Sequence, residues 1–381
     1  MRLFLLIFFL LYGGLHYYLF LKASATLALG TMSSILLIFV LLLMVFTPLI
    51  VHSSERHGFA SAARLMSFVG YSWMGFVFLW FSFSILIDFC RLLIYAGRLI
   101  VPGFFSHLNP SPQYSFLLSF LLSLSIALYG YFEAKQIRTE RIALKTSKIP
   151  KEAGRLKIAQ ISDVHLGMIV REERLTRILK EVKKATPDIF VSTGDLVDGQ
   201  INNLSGLAEI LREINPQYGK FAITGNHEFY AGLSQSLVFT QNAGFSVLRG
   251  QGLTVAGLIN LAGVDDPAGH SFGLFRGISE KELLLGLPRE KFTLLLKHRP
   301  DLDKRALGLF DLQISGHTHQ GQIFPFRLIT RLFYPYDGGS FHLSNHSNLH
   351  VSRGSGTWGP PIRFLAPPEV TVYELIHEDQ P

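Results

Sequence analysis

One cysteine in 381 residues, Cys90, is too few for an intrachain disulfide and excludes a thiolate metal cage. Charge is also thin: charged residues make up 17% of the chain, against 49% hydrophobic and 13% aromatic. Acidic residues are the scarcer sign, 28 against 35 lysines and arginines, for a formal net charge of +7. That surplus could suggest nucleic acid, but its placement points elsewhere. Much of it stands at Lys135, Arg138, Arg141, Lys145, Lys148 and Lys151, directly after the last long apolar run. Basic residues in that place face anionic lipid or set topology, so membrane lipids are the expected partner and nucleic acid is not.

What the chain has in excess is apolar length, and it is concentrated in the first 132 residues. Runs at about Leu3–Leu21, Leu27–Val51, Leu65–Ile87 and Tyr114–Phe132 each have about the 20 residues that cross a bilayer. The first, with Arg2 before it and Ala23–Ala25 after it, has the flanks of a signal peptide. Its length and the three spans behind it predict a retained helix. Ionisable residues inside the spans are confined to His16, Asp88 and Arg91, near their ends, which argues against a transport pathway. With four helices, Arg2, Arg56, Arg64 and the basic cluster after Phe132 share one side, and Lys22, Arg91 and Arg98 the other. The richer side is expected to be cytoplasmic, which places the C-terminal domain at the cytoplasmic face of a bacterial inner membrane.

The pattern then changes. Residues 133–154 are polar and basic and read as a juxtamembrane linker or an amphipathic surface helix. From 155 to 381, short apolar runs alternate with helix-like segments: Leu156–Ser162, Arg171–Ala185, Asp188–Thr193, Gly206–Ile214 and Tyr218–Thr224. Strands alternating with helices predict an α/β domain with parallel pairing. Later runs at about Leu253–Gly257, Leu261–Val264, Phe292–Leu296, Leu312–Ser315, Leu349–Ser352 and Val370–Leu375 lack long helices between them and predict mixed pairing in a layered sheet. The division expected is a helical membrane region over 1–132, a linker over 133–154 and a catalytic domain over 155–381.

Polar residues recur at one kind of place, just after an apolar run. They are Asp163 and His165; Gly194, Asp195 and Asp198; Gly225, Asn226, His227 and Glu228; His298; and Gly316, His317 and His319. Ligands of open α/β sheets bind beyond the carboxyl ends of the strands, so these loops converge on one crevice. Asp, Asn and His without thiolate suit Mn²⁺, Fe or Zn²⁺. Seven candidate ligands at three or four per ion imply two divalent ions with a shared carboxylate. Such a pair clamps both oxygens of an in-line displacement, and each ion lowers the pKa of its water to about 7. That is the requirement for phosphoester hydrolysis without a covalent intermediate. His298 alone would read as a half-buried core histidine, and Asp198 as a turn cap. It is the ordered set that carries the reading.

This set resembles the signature of the calcineurin-like metallophosphoesterase superfamily, over roughly Leu156 to Leu375. The stretches Gly316–Gln322 and Ser352–Thr357 resemble a bacterial, membrane-anchored subgroup, with Ser355 where that subgroup commonly has leucine. The resemblance implies a four-layer α/β/β/α sandwich. It implies that Asp163, His165, Asp195 and His319 hold one ion, that Asp195, Asn226, His298 and His317 hold the other, and that Asp195 bridges. It makes His227 a non-ligand catalytic histidine that stabilises the phosphorus centre or protonates the leaving oxygen. Asp198 then orients the Asp195 loop or a metal-site histidine, or simply caps its turn. Arg353 in a glycine-rich turn either binds substrate phosphate or pairs structurally. Trp358–Pro361, Arg363 and Ala366–Glu369 read as a structured loop beside the pocket. Some relatives of this subgroup cleave the pyrophosphate of a nucleotide-lipid, UDP-diacylglucosamine, so a phosphorylated substrate is expected and a nucleotide-lipid is one candidate, beside soluble phosphodiesters and phosphoprotein. The competing expectation is a silent membrane receptor or scaffold on the same fold, and the filled ligand positions count against it.

Overall fold

The computed structural model describes every residue except 1, 102–103, 105–107, 109, 200, 202–203, 205, 380 and 381. It forms two compact units, residues 1–132 with 359–362 and residues 133–358 with 363–381.

The first unit is helical: α1 (Arg2–Leu27), α2 (Thr31–Arg56), α3 (Ala60–Ile100) and α4 (Pro112–Glu133). In hydrocarbon every backbone polar group must be satisfied within its own segment, so long apolar runs become helices. All four are long and apolar enough to cross a membrane, and the chain is an integral membrane protein. Leu10, Leu36 and Phe39 point outward, as lipid-facing side chains do, while Trp80, Leu19 and Leu41 pack inward against one another. Helices α2 and α3 touch at Gly70, where a Cβ would lie 2.0 Å from Thr47 Cγ2. Close approach at small residues is the usual way that helices associate in lipid.

Two polar residues of the spans are structurally satisfied. His16 is buried, donates from Nδ1 to the Tyr12 carbonyl (2.8 Å) and accepts at Nε2 from the Trp73 indole (2.9 Å). Asp88 is held by Lys22 (2.5 Å) and Tyr18 (2.6 Å). Helix α3 differs from expectation. The run that reads as ending at Ile87 continues as helix to Ile100, 41 residues in all, about 60 Å at 1.5 Å per residue and so about twice a bilayer core.

The second unit is built on two six-stranded sheets. One is ordered β1 (Arg138–Thr146), β12 (Glu369–His377), β2 (Arg155–Ile161), β3 (Ile189–Ser192), β4 (Lys220–Ala222) and β5 (Ser246–Val247). The other is ordered β10 (Gly339–His342), β11 (Asn348–Val351), β9 (Leu312–Ser315), β8 (Phe292–Leu296), β7 (Ile259–Gly263) and β6 (Gln251–Val255). Pairing is mixed: β2 through β5 are parallel, as are β7, β8 and β9, while β12 runs antiparallel to β2.

The period-two alternation of strands decides which side chain enters which layer. Phe292, Leu294 and Leu296 of β8 meet Ile158 of β2, Val191 of β3 and Tyr373 of β12 between the sheets. Leu295 faces the other way, onto Leu283 and Leu284 of α9 (Glu280–Leu285). On the far side of the first sheet, Ile161, Phe190 and Val372 receive α5 (Glu172–Ala185) through Leu175, Ile178, Leu179 and Val182, at helical spacing. With α6 (Leu207–Arg212) and α8 (Leu233–Asn242) in that outer layer, the architecture is the expected four-layer α/β/β/α sandwich.

The expected linker is different. Residues 138–146 form β1, a nine-residue edge strand paired in parallel with β12, from Arg138 opposite Glu369 to Thr146 opposite His377. Its charges are met within the unit: Arg141 by Glu374 (3.2 Å), Lys145 by Glu378 (2.7 Å), and beyond the strand Lys148 by Asp311 (2.6 Å). An edge strand with a wet face tolerates charges such as Arg138, Glu140, Arg141 and Lys145, and only Ile142–Leu144 is left as a short apolar run.

Leu294 is fully buried between the sheets. Leu294→Ala is expected to lower the stability of the catalytic unit by about 2–5 kcal/mol, read as the shift of its chemical denaturation midpoint. A loss below about 1 kcal/mol would mean that the two sheets do not share one core.

Candidate metal centre

The loops after β2, β3, β4, β8 and β9 bring Asp163, His165, Asp195, Asn226, His298, His317 and His319 together. Close backbone approach makes this possible, and it fixes where glycine must stand. Gly194 has φ +93°, and a Cβ on it would lie 2.6 Å from the Gly225 nitrogen. A Cβ on Gly225 would lie 2.2 Å from Asp195 Oδ1, and one on Gly316 would lie 2.0 Å from Ser162 Oγ. Asp163, His165, Asp195, His317 and His319 all adopt positive φ, between 48° and 70°. Left-handed backbone is costly for such residues, and its clustering here marks a site held in place by its surroundings.

The donors fall into groups. Asp163, His165 and His319 form one, and Asp195, His298 and His317 another; within each, the ligand atoms lie within 4.8 Å of one another. Asp195 joins them: its Oδ2 is 3.2 Å from His298 Nε2 and 3.8 Å from His165 Nε2. Asn226 Oδ1 is 3.3 Å from His298 Nε2. His165 Nε2 and His319 Nε2 face each other at 3.1 Å, and His317 Nδ1 and His298 Nε2 at 3.2 Å. His298 donates from Nδ1 to the Thr193 carbonyl (2.8 Å), which turns Nε2 toward Asp195 and the other donors. His317 is fixed through Nε2 by the Tyr334 hydroxyl at 2.9 Å.

Burial sets the protonation. It lowers His165 to about 4, with the charge of His227 adding to the effect. Burial likewise takes His317 and His319 well below the usual histidine range. For His298 and His227 burial also disfavours charge, but Asp195 outweighs it, lifting them to about 10 and about 9. The neutral imidazoles of His165 and His319 facing each other at contact distance, with His317 beside His298, around buried carboxylates and an amide with no thiolate, fit divalent cations. A cation beside Asp195 would take over the charge balance that protons on His298 and His227 otherwise supply.

His227 begins the short helix α7 (Asn226–Tyr230) with Asn226. Its N–H donates to Asp195 Oδ1 (2.8 Å), and its Nδ1 lies 3.0 Å from Asp198 Oδ1. Asp198 Oδ1 is also 3.9 Å from His165 Nδ1, so one carboxylate stands beside two site histidines. Arg353 is engaged elsewhere, in an ion pair with the buried Glu369 and another with Glu140 (3.3 Å).

Two supporting residues were not legible as such. Glu228, which reads only as an acidic neighbour of His227, accepts the backbone N–H groups of Gly225 (2.6 Å), Leu196 (2.8 Å) and Asp195 (3.0 Å) and so ties two ligand loops together. Arg363, expected in a pocket-lining loop, is fully buried; it donates to the Gly356 and Arg353 carbonyls (both 2.6 Å) and lies 3.0 Å from His319 Nδ1. A capping-box spacing from Gly225 to Glu228 is the one local signal for the first. The second has none.

Known proteins resemble this chain in sequence. The pattern defining the calcineurin-like phosphoesterase family matches residues 156–321. A metallophosphoesterase of Aquifex aeolicus is 41% identical over 255 residues, 67% of this chain and 97% of that protein. One of Campylobacter jejuni is 33% identical over 272 residues, 69% of this chain and 71% of that protein. A Danio rerio protein described as a transmembrane protein with a metallophosphoesterase domain is 31% identical over 267 residues, 67% of this chain and 61% of its own length. The chain belongs to the calcineurin-like phosphoesterase family. It is a metal-dependent phosphoester hydrolase carried on a membrane-embedded helical unit.

Gly225→Ala would drive a methyl group against Asp195. The expected outcome is loss of at least half of the bound metal by elemental analysis with circular dichroism unchanged, while Gly199→Ala, whose Cβ meets nothing within 4 Å, keeps its metal. Full metal content in the Gly225 variant would show that the Asp195 loop tolerates displacement.

Proposed function

We propose that the protein hydrolyses a phosphoester or pyrophosphate bond, as in a phosphodiester, of a lipid-linked substrate at the membrane surface, using two divalent ions. The observation that carries the dinuclear reading is the position of Asp195, whose Oδ2 lies within 4 Å of a histidine nitrogen from each ligand group. Asp163, His165 and His319 would hold one ion, Asn226, His298 and His317 the other, and Asp195 both. Mn²⁺, Fe and Zn²⁺ all suit this donor set. When bound, such a pair supplies a deprotonated water and neutralises phosphoryl charge.

The chain's own residues supply the rest. His227 would present a proton at Nε2 to the leaving oxygen, with Asp198 at Nδ1 fixing the ring and stabilising its charged form. Glu228 and Arg363 hold the ligand loops so that the centre need not rearrange when substrate arrives. Arg353, paired with Glu369, supports a structural role more than a phosphate-binding one. The four helices support a substrate at the bilayer, and the Lys/Arg distribution supports a cytoplasmic catalytic unit.

Three measurements test this reading. Chelation with EDTA should abolish hydrolysis of a soluble chromogenic phosphodiester, and Mn²⁺ should restore it; no turnover with two ions bound per chain would favour the scaffold reading. Asp195→Asn should remove activity far more than Asp198→Asn, because its charge serves both ions, and equal losses would count against a bridging Asp195. His227→Gln should keep both metals yet lower turnover by about 10²–10⁴-fold. Metal loss in that variant would make His227 a ligand.

A further inference from the structure

Helix α10 (Phe326–Phe333) is attached to the catalytic unit by its polar side. Thr330 is buried, and Arg327 and Arg331 both reach the buried carboxylate of Asp337, at 2.6 and 3.1 Å. Its apolar side is turned out. Phe326, Leu328, Ile329, Leu332 and Phe333 are 45%, 57%, 47%, 80% and 73% exposed, and at 3.6 residues per turn they occupy one continuous arc of about 160°. Phe324 and Leu365, on segments joined by the bond from the Phe324 N–H to the Phe364 carbonyl, extend the patch. A contiguous apolar surface rimmed by polar residues marks an interaction site. This one adjoins the centre already described, because α10 follows the His317–Gln322 turn and ends on Tyr334, which holds His317.

The occupant that fits is a lipid bilayer surface. The same chain carries four helices long and apolar enough to cross a membrane, and residues 134–137 alone tether β1 to the last of them. Arg327 and Arg331 share a single carboxylate, which leaves positive charge on the flank of the helix for anionic headgroups. We propose that α10 is an interfacial helix, lying in the membrane plane with its apolar face at the headgroup–acyl boundary, and that it holds the metal centre against phosphoesters borne by lipids. The docking stands on the exposed face alone; the supply of substrate rests on the phosphoesterase reading above.

The test uses the full chain in nanodiscs containing brominated phosphatidylcholine. Cys90→Ser removes the only cysteine, and bimane is placed by Leu332→Cys or, at the opposite ends of the strands, by Glu290→Cys. Fluorescence at 332 should be quenched at least twofold and at 290 not at all. Equal quenching at both positions overturns the proposal. So does an unquenched 332 label, or one that self-quenches between copies, which would place a second chain on the patch. In a second arm, the paired change Leu332→Glu and Phe333→Glu should lower the ratio of turnover on a vesicle-borne phosphoester to turnover on a soluble one by at least tenfold. An unchanged ratio overturns the link to substrate supply. Absence of turnover on both substrates in the unsubstituted protein counts against the phosphoesterase reading instead, and the quenching result still decides the docking.

Discussion

The buried carboxylate of Asp195 is the fixed point around which the catalytic unit is arranged. An isolated charge at that depth is costly, and it persists only where partners surround it. Here the partners come from three different loops: the His227 N–H on one oxygen, and imidazole nitrogens of His165 and His298 around the other. Gly194 and Gly225 let the backbones come close enough for this, and the Glu228 carboxylate binds the same two loops from behind. Displacing any one of these groups moves the rest, because there is no slack between them.

That arrangement has a local energetic cost. Five of the clustered Asp and His residues hold positive φ, each at a cost of order 1 kcal/mol or more. The sandwich is what offsets it. Strands such as β8 are buried on both faces, with Leu294 in one core and Leu295 in the other, so neither register nor tilt can adjust to relieve strain in the loops beyond. Rigid layers below and strained turns above amount to a site organised before substrate or metal arrives.

Much of this was legible because ligands follow apolar strands, and apolar runs are easy to see. Asp163, Asp195, Asn226 and His317 each stand at the end of one, and their order along the chain carries the chemistry. What escaped was polarity serving structure. Arg138–Thr146 looks like a basic linker because its charged residues interrupt any apolar run, and only the distant acids Glu374 and Glu378 reveal the strand. Arg363 sits in a proline-rich stretch that gives no hint of burial, and its partners are carbonyls, which leave no trace in side-chain patterns. The opposite error is available at α10, whose leucines and phenylalanines would pass for core. Periodicity shows that a helix has two faces, but not which of them turns inward.

Strand β12 lies between β1 and β2, the two strands that open the catalytic unit. Successive strands of the sheet are thus neighbours along the chain but not in space, and the gap between them is filled from near the far end of the polypeptide. Arg138 donates to the Pro368 carbonyl and His377 to that of Gly154, across more than two hundred residues. During synthesis this sheet stays open until the last strand has left the ribosome. By then the four apolar helices have long been available for insertion. The topology thus delays closure of this sheet until well after the four apolar helices have been made.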